Sequence, residues 1–399
     1  MQYISTIEAI ETEHIAAAYR EIQTPNLRAN LIRRIQAECS AILRDLDSGF
    51  ILKNIDSYSG GRVVSTGEKL ICRHMVALLQ DRGHQATYVD VSEASNMSAD
   101  PADGLDQELH NILADDIADR VSRADGIPVI TGYFGVIQGG LLQKVGRGYT
   151  DLCAALVATG LQAKELQVWK EVDGIFTADP RIVPDARLVS SITPIEAREL
   201  TYYGSEVIHT STMEQVASEG IPVRIKNVLK PYSSGTIISP LQRREAHQSE
   251  APLSSSARAG PVTAITTKNR IAILTAHCTS SKSSFAFYQD LFLALYRWQV
   301  SVDLIATSDN NVSLAICVDT LGVNPEHQNH SSSPVHDRLE NLIKDIHHHG
   351  PVTIIPDMAI LCIIGKDLKK NSIPSCVFNG LADENIPIEM ASYGTLVKL

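Results

Sequence analysis

The chain has 399 residues, too many for one ordinary core and enough for a large domain with one or two smaller ones. Hydrophobic residues make up 44% and charged residues 20%, which is globular composition, and no run approaches the roughly 20 apolar residues a bilayer span needs. A formal net charge of -11, from 35 Lys and Arg against 46 Asp and Glu, repels phosphate backbones and acidic lipid surfaces. Neither nucleic acid nor membrane is therefore an expected partner, and an anionic substrate has to be gathered by a local basic or dipolar site.

The chain opens Met1-Gln2-Tyr3-Ile4-Ser5-Thr6, without the charged and apolar regions of a signal peptide, so the default location is the cytoplasm. Helices are expected over the first 50 residues, where Leu27, Leu31, Ile35, Cys39, Ile42 and Leu46 recur at three- and four-residue spacing. A further helix is expected from Ser65-Thr66-Gly67-Glu68 through Met75, Leu78 and Leu79 to Gly83, then a strand from Ala86 to Val91. The alternation continues with a strand at Ile127 to Phe134, a helix at Thr150 to Thr159, a strand at Glu165 to Val172, a helix at Pro194 to Tyr202 and a strand at Val223 to Val228. Such alternation predicts an α/β sandwich around a largely parallel sheet. Residues 241 to 260 are polar and Ser-rich without apolar period and read as a domain linker. Beyond it, Ile271 to Ala276, Ser283 to Trp298, Val300 to Ala306 and Val312 to Val318 predict a small β-α-β-β unit. Val352 to Ile355, Ala359 to Ile364 and Pro387 to Ala391 are the candidate strands of a second. The seven scattered cysteines, with no C-x-x-C pair, read as reduced core thiols.

Four segments carry candidate chemistry. Gly146-Arg147-Gly148-Tyr149-Thr150-Asp151 lies between a strand and a helix, and reads either as a tight structural turn or as an anion site made of backbone amides and a guanidinium. Trp169 to Arg181 follows a strand and reads either as a ligand loop at the strand end or as a solvated loop whose Asp and Pro set turns. Glu68 is a capping-box partner for Ser65 or a substrate contact. His347, His348 and His349 are consecutive and share no helix face, so they read as an exposed polar run, and no metal-ligand set is expected. Neither a complete G-x-G-x-x-G nor a P-loop motif is present.

Taken together the segments resemble the aspartate kinases, most closely their fungal branch. The resemblance is carried by GRGYTDLCAALVATGLQAKELQVWKEVDGIFTADPR over residues 146 to 181, ELTYYGSEVIH over 199 to 209, TMEQV over 212 to 216, IPVRIKNV over 221 to 228 and GTII over 235 to 238. STGEKL at 65 to 70, ITGYFG at 130 to 135, AITTKN at 264 to 269 and VDLIATS at 302 to 308 also fit. The resemblance implies an amino-acid-kinase-type open αβα sandwich over residues 1 to 240, then, past the linker, ferredoxin-like ACT domains over 261 to 345 and 346 to 399. The family's opening Lys-Phe-Gly-Gly-Thr-Ser loop and its Ser-Ala-Arg segment are not among these residues, so the kinase domain is expected to lack its first strands and the second ACT domain to be partial.

By the same resemblance, Glu68, Arg147, Thr150 and Asp151 would hold L-aspartate, and Lys170, Glu171, Asp173, Phe176, Asp179 and Arg181 would surround ATP with its Mg2+. His277, Ser283, Asp303, Thr307 and Ser308 would lie near an effector, threonine in the fungal branch, and the ACT domains would pair protomers into a homo-oligomer. The implied reaction is phosphorylation of the aspartate side chain, feeding threonine, methionine and in some organisms lysine synthesis. The alternative is a non-catalytic regulatory relative that pairs with an intact kinase. The chemistry is simple: a carboxylate is already ionised at neutral pH and needs no general base, so catalysis rests on alignment and charge neutralisation.

Overall fold

A computed structural model of the chain describes residues 2–52, 57–92, 107–134, 141, 148–204, 208–239, 262–278, 284–308, 310–318, 334–348, 350–365, 368, 373–393 and 397–398. The chain divides into two compact units, the first comprising Met1–Ile175, Ser190–Pro194 and Val207–Pro252, the second Phe176–Val189, Ile195–Glu206 and Leu253–Leu399.

The first unit begins with three helices, α1 (Gln2–Glu21), α2 (Pro25–Leu52) and α3 (Ser57–Asp81). Proline at the first position of α2 sits where a missing N–H costs nothing, and the Asp81 carboxylate accepts the N–H groups of Gln23 and Thr24 at 2.9 and 2.8 Å, fixing the turn before it. The stripe expected on α2 is buried at Leu31, Ile35, Cys39 and Ile42 against Ile7, Ala18, Ile22 and Leu70. Contrary to the sequence expectation, α3 starts at Ser57 and not at Ser65; the Ser65 hydroxyl donates back to Arg62 O, so there is no capping box.

Strands β1 (Ala86–Val89) and β2 (Ile127–Ile130) pair in parallel. On them a core closes with α4 (Gln107–Ser122) and α5 (Tyr149–Gly160), formed by Val89, Leu113, Ile117, Phe134, Leu152 and Leu156 among others. Next in chain order come β3 (Leu166–Lys170), β4 (Ser191–Ile192), α6 (Pro194–Tyr203), which from Ile195 on belongs to the second unit, α7 (Thr210–Ser218), β5 (Val223–Asn227) and β6 (Thr236–Ile238). The four strands make a sheet of order β3-β5-β6-β4 in which β5 and β6 are antiparallel and the other pairs parallel. Among the described strands of this unit the pairing is thus largely parallel, as expected, with β5 against β6 the antiparallel exception. A cavity of about 310 Å³, lined by Ile130, Thr131, Gly132, Thr150, Leu166 and Gln167 among others, lies between β2 and β3.

In the second unit, β7 (Val262–His277), α8 (Ser284–Arg297), β8 (Val302–Thr307), β9 (Asn311–Cys317), α9 (Pro334–His347), β10 (Val352–Gly365), α10 (Ile373–Asp383), β11 (Ser392–Tyr393) and β12 (Val397–Lys398) follow in chain order. The sheet order is β11-β12-β10-β7-β9-β8. Elements β7 to β10 form a β-α-β-β-α-β run whose spatial order β10-β7-β9-β8 is ferredoxin-like. Its core joins Leu274, Phe287, Leu291, Leu314, Leu342 and Ile346.

Two expected strands, Val352 to Ile355 and Ala359 to Ile364, are one continuous strand, and β7 starts well before Ile271. The ribbon is interrupted where Arg270 (φ 58°) and Asp357 (φ 57°) adopt the left-handed conformation beside a register shift between Ile355 and Met358. Pro387 to Ala391 is irregular, and the strand forms at Ser392–Tyr393. His347 and His348 are exposed as expected, while His349 lies outside the described residues. None of the seven cysteines is in a disulfide, and four of them are buried; among the described residues no helix is long and apolar enough to cross a membrane.

Candidate active site

Three elements of the first unit meet at Glu68. Its Oε2, on α3, accepts the backbone N–H of Tyr133 just beyond β2, and Tyr149, the first residue of α5, packs its ring against that of Tyr133. The Tyr133 and Tyr149 rings stand edge to face with centroids 5.7 Å apart. Between them Gly132 is so close that a Cβ would fall 2.6 Å from Thr150 Cγ2 and 3.1 Å from Glu68 Oε2. Burial, and next the Glu68 carboxylate, push the Tyr149 phenol well above its ordinary value, so it remains a donor. Burial also pushes the neighbouring thiols up, Cys153 to about 12 and Cys72 to about 11, which keeps them protonated and unreactive.

Gly148 is the N-cap of α5 at φ 93°, and among the described residues no side chain caps the helix. Its first-turn amides and dipole are therefore available to an anion. Thr150 and Asp151 lie in that first turn, and Lys170 at the end of β3 reaches Asp151 Oδ2 at 3.5 Å. The structure thus brings Glu68, Thr150, Asp151 and Lys170 to one region; Arg147 lies outside the described residues.

Parallel strands β3 and β5 end side by side, Lys170 opposite Asn227. Ligands in α/β sheets bind at such strand ends. There Asp173 accepts Asn227 Nδ2 at 2.6 Å and Lys230 Nζ at 2.7 Å. The hydrogen bond from Lys230, then that from Asn227, hold the Asp173 carboxyl below the usual carboxylate range. Glu171 beside it is exposed.

The other expected nucleotide residues, Phe176, Asp179 and Arg181, fall in the second unit. Phe176 bridges Leu188 in an antiparallel pair. Asp179 accepts the Arg181 backbone N–H at 2.9 Å and its guanidinium at 2.7 Å, the local turn that Asp and Pro favour.

Of the expected effector residues, His277, Thr307 and Ser308 gather at one end of the sheet. His277 Nδ1 meets Asn311 Oδ1 at 2.7 Å, and the Ser308 N–H donates to Asn311 O at 2.9 Å. Asp303 stands four residues back along β8, its side chain fully buried and paired with Lys268 Nζ at 2.7 Å beneath Tyr202. Ser283 lies outside the described residues.

Sequence reasoning passed over several residues that the geometry draws in. These are Tyr149 against Tyr133, Asn227 and Lys230 on Asp173, and His209, against which Gly148 packs so tightly that a Cβ would lie 2.7 Å from His209 Cβ. The run IPVRIKNV, ending a strand in Asn, was the available signal for Asn227.

Comparison with known proteins fits this geometry. The sequence profile of the amino acid kinase family matches residues 9–227. An aspartokinase of Candida albicans is 41% identical over 98% of this chain and 73% of its own length, and one of Saccharomyces cerevisiae is 43% identical over 98% and 75%. Among solved structures, Escherichia coli aspartokinase III in complex with aspartate and ADP (R-state) superimposes with a TM-score of 0.71 over 100% of this chain and 83% of that one. At 23% identity that likeness speaks to fold alone. With the profile spanning more than half of its residues and fungal relatives matched over nearly all of them, the chain belongs to the amino acid kinase family, in its aspartokinase branch.

Proposed function

We propose that the chain transfers the γ-phosphoryl group of ATP to the side-chain carboxylate of L-aspartate, giving 4-phospho-L-aspartate on the way to threonine, methionine and in some organisms lysine. The observation that carries this reading is the match to fungal aspartokinases along 98% of the chain at 41% and 43% identity.

Glu68, Thr150 and Asp151, with Arg147, form the aspartate side of the site. The only cation on aspartate is its α-ammonium, so the Glu68 carboxylate is its natural partner. Lys170, Glu171 and Asp173 form the nucleotide side within the first unit. The residues fit a nucleotide: the first turn of α5, which opens on Gly148, suits phosphoryl oxygens, and Lys170 adds a cation 3.5 Å from Asp151. They also fit Mg2+, which keeps several waters and asks for one or two carboxylates beside the phosphates, here Asp151. When bound, the ion neutralises phosphate charge. The protein's own part is to align the attacking carboxylate with the phosphorus and to place amides and Lys170 where negative charge accumulates.

Threonine is the effector in this reading, bound near His277, Ser283, Thr307 and Ser308, with Asp303 holding the β8 backbone through Lys268. Pairing of ACT units into a homo-oligomer and a cytoplasmic location complete it. The test is ADP release by the full chain with ATP, Mg2+ and L-aspartate. Release that requires L-aspartate and is not supported by L-glutamate is expected; equal release with either amino acid, or with neither, would overturn the proposal.

A further inference from the structure

The nucleotide side of the site stands on two loops that leave neighbouring strands. Parallel pairing ends with Lys170 of β3 opposite Asn227 of β5, and a further backbone bond, from the Val228 N–H to Lys170 O at 2.9 Å, closes the ladder. Asp173 lies past that end, just before Gly174 at φ 141°, so strand pairing does not set its position. Side chains do. Asn227 Nδ2 donates to Asp173 Oδ1 at 2.6 Å, and Lys230 Nζ to Asp173 Oδ2 at 2.7 Å. The two donors are not equivalent. The Lys230 side chain is 63% exposed, where water screens an ion pair, whereas Asn227 is 4% exposed. The Asn227 amide is also fixed in orientation: its Oδ1 accepts the Leu229 N–H at 2.8 Å, which leaves Nδ2 as the group facing Asp173. One buried amide thus joins the loop after β3 to the loop after β5.

We infer that Asn227 is a positioning residue: its amide clamps the Asp173 carboxylate to the chain at Leu229 and so fixes the nucleotide side of the site. This rests on the reading above that Asp173 belongs to that side. Asn227 itself need not touch ATP. Its loss leaves Asp173 held by Lys230, a long and solvent-exposed side chain that follows no fixed path. The nucleotide side of the reaction suffers, and the amino-acid side, built around Glu68, does not.

The experiment is calorimetric titration of the full chain with ATP and Mg2+ in the absence of aspartate, together with steady-state kinetics. The variants are Asn227→Asp, Asn227→Ala, Asp173→Ala and the double change Asp173→Ala with Asn227→Ala. Asn227→Asp keeps the size of the side chain and the acceptor for the Leu229 N–H, but sets a second carboxylate against Asp173. Asn227→Ala adds no charge and gives the same readout should the buried charge prevent folding. In either, ATP Kd and KM are expected to rise about tenfold, the lower end of what a hydrogen bond to a charged group is worth, with aspartate KM unchanged. In the Asp173→Ala background Asn227→Ala is expected to cost less than about twofold, because groups acting through one another are not additive. Gln80→Leu is the control for a merely structural role. It removes a side-chain amide bond of similar length, to Ala86 O at 2.8 Å, away from these strand ends, and is expected to leave ATP affinity unchanged. An ATP Kd in Asn227→Ala equal to that of the unsubstituted chain, an equal loss in both backgrounds, or an equal rise in aspartate KM would overturn the inference alone. No ATP binding by the unsubstituted chain would overturn the proposed function as well.

Discussion

Replacing Gly148 by alanine puts a methyl group into a tight point of the site where the backbone is also left-handed. Its φ of 93° is a conformation in which an L side chain costs about 1–2 kcal/mol. The new Cβ would also sit 2.7 Å from His209 Cβ and 2.9 Å from His209 Cγ. His209 cannot withdraw freely, because its Nδ1 accepts the Ser211 N–H at 3.3 Å and so caps α7. Overpacking of this kind adds about 1–3 kcal/mol, for a total of about 2–5 kcal/mol. Scanning calorimetry should show the loss as a lower unfolding temperature, and aspartate KM should rise because the first turn of α5 shifts. Gly67→Ala is the matched comparison: on α3 its Cβ would meet nothing within 4 Å, and the change is expected to stabilise by about 0.5–1 kcal/mol. If Gly148→Ala proved as stable as Gly67→Ala, the close approach of α5 and His209 would be wrong.

Other consequences can be tested alongside. Lys268→Met leaves the fully buried Asp303 carboxylate without its cation and should cost about 3–5 kcal/mol in denaturant unfolding, whereas Lys268→Met with Asp303→Leu should recover most of it. Leu156→Ala, in the core of the first unit, should cost about 2–5 kcal/mol by the same measurement. The Asp81 carboxyl is held below its usual range by hydrogen bonds from Thr24 and Gln23. Its folded value is the depressed one, so its stabilisation is fully present above the unfolded value of about 4 and is lost as pH falls through the folded value. The difference in melting temperature between the unsubstituted chain and Asp81→Ala should therefore shrink on acidification below that point; a constant difference would contradict the assignment.

How much could be read in advance depended on range. The α2 stripe was legible because Leu31, Ile35 and Cys39 repeat at helical spacing and are buried where the period puts them. The start of α3 was not, since Gly60-Gly61 reads as a break; there the tertiary contact of Gly61 with Tyr133 outweighs local propensity. Ser65 and Glu68 have the spacing of a capping box, yet Glu68 answers to Tyr133, 65 residues away, and no local rule reaches that far. Polar Thr266, Thr267 and Lys268 disguised the first half of β7, whose pairing with β10 decides its conformation. At the site, the Gly-x-Gly turn was visible, but the meeting of Glu68, Thr150, Asp151 and Lys170 joins two helices and a strand by long-range packing, and only the family resemblance anticipated it.

The central claim, that this chain makes an acyl phosphate on aspartate, is tested most directly by trapping that product. The full chain is incubated with ATP, Mg2+, L-aspartate and hydroxylamine, and aspartyl hydroxamate is measured against Glu68→Gln. The account predicts hydroxamate that depends on L-aspartate and ATP and falls sharply in the variant. Absence of hydroxamate from the folded, unsubstituted chain, under conditions where it binds both substrates, would contradict it.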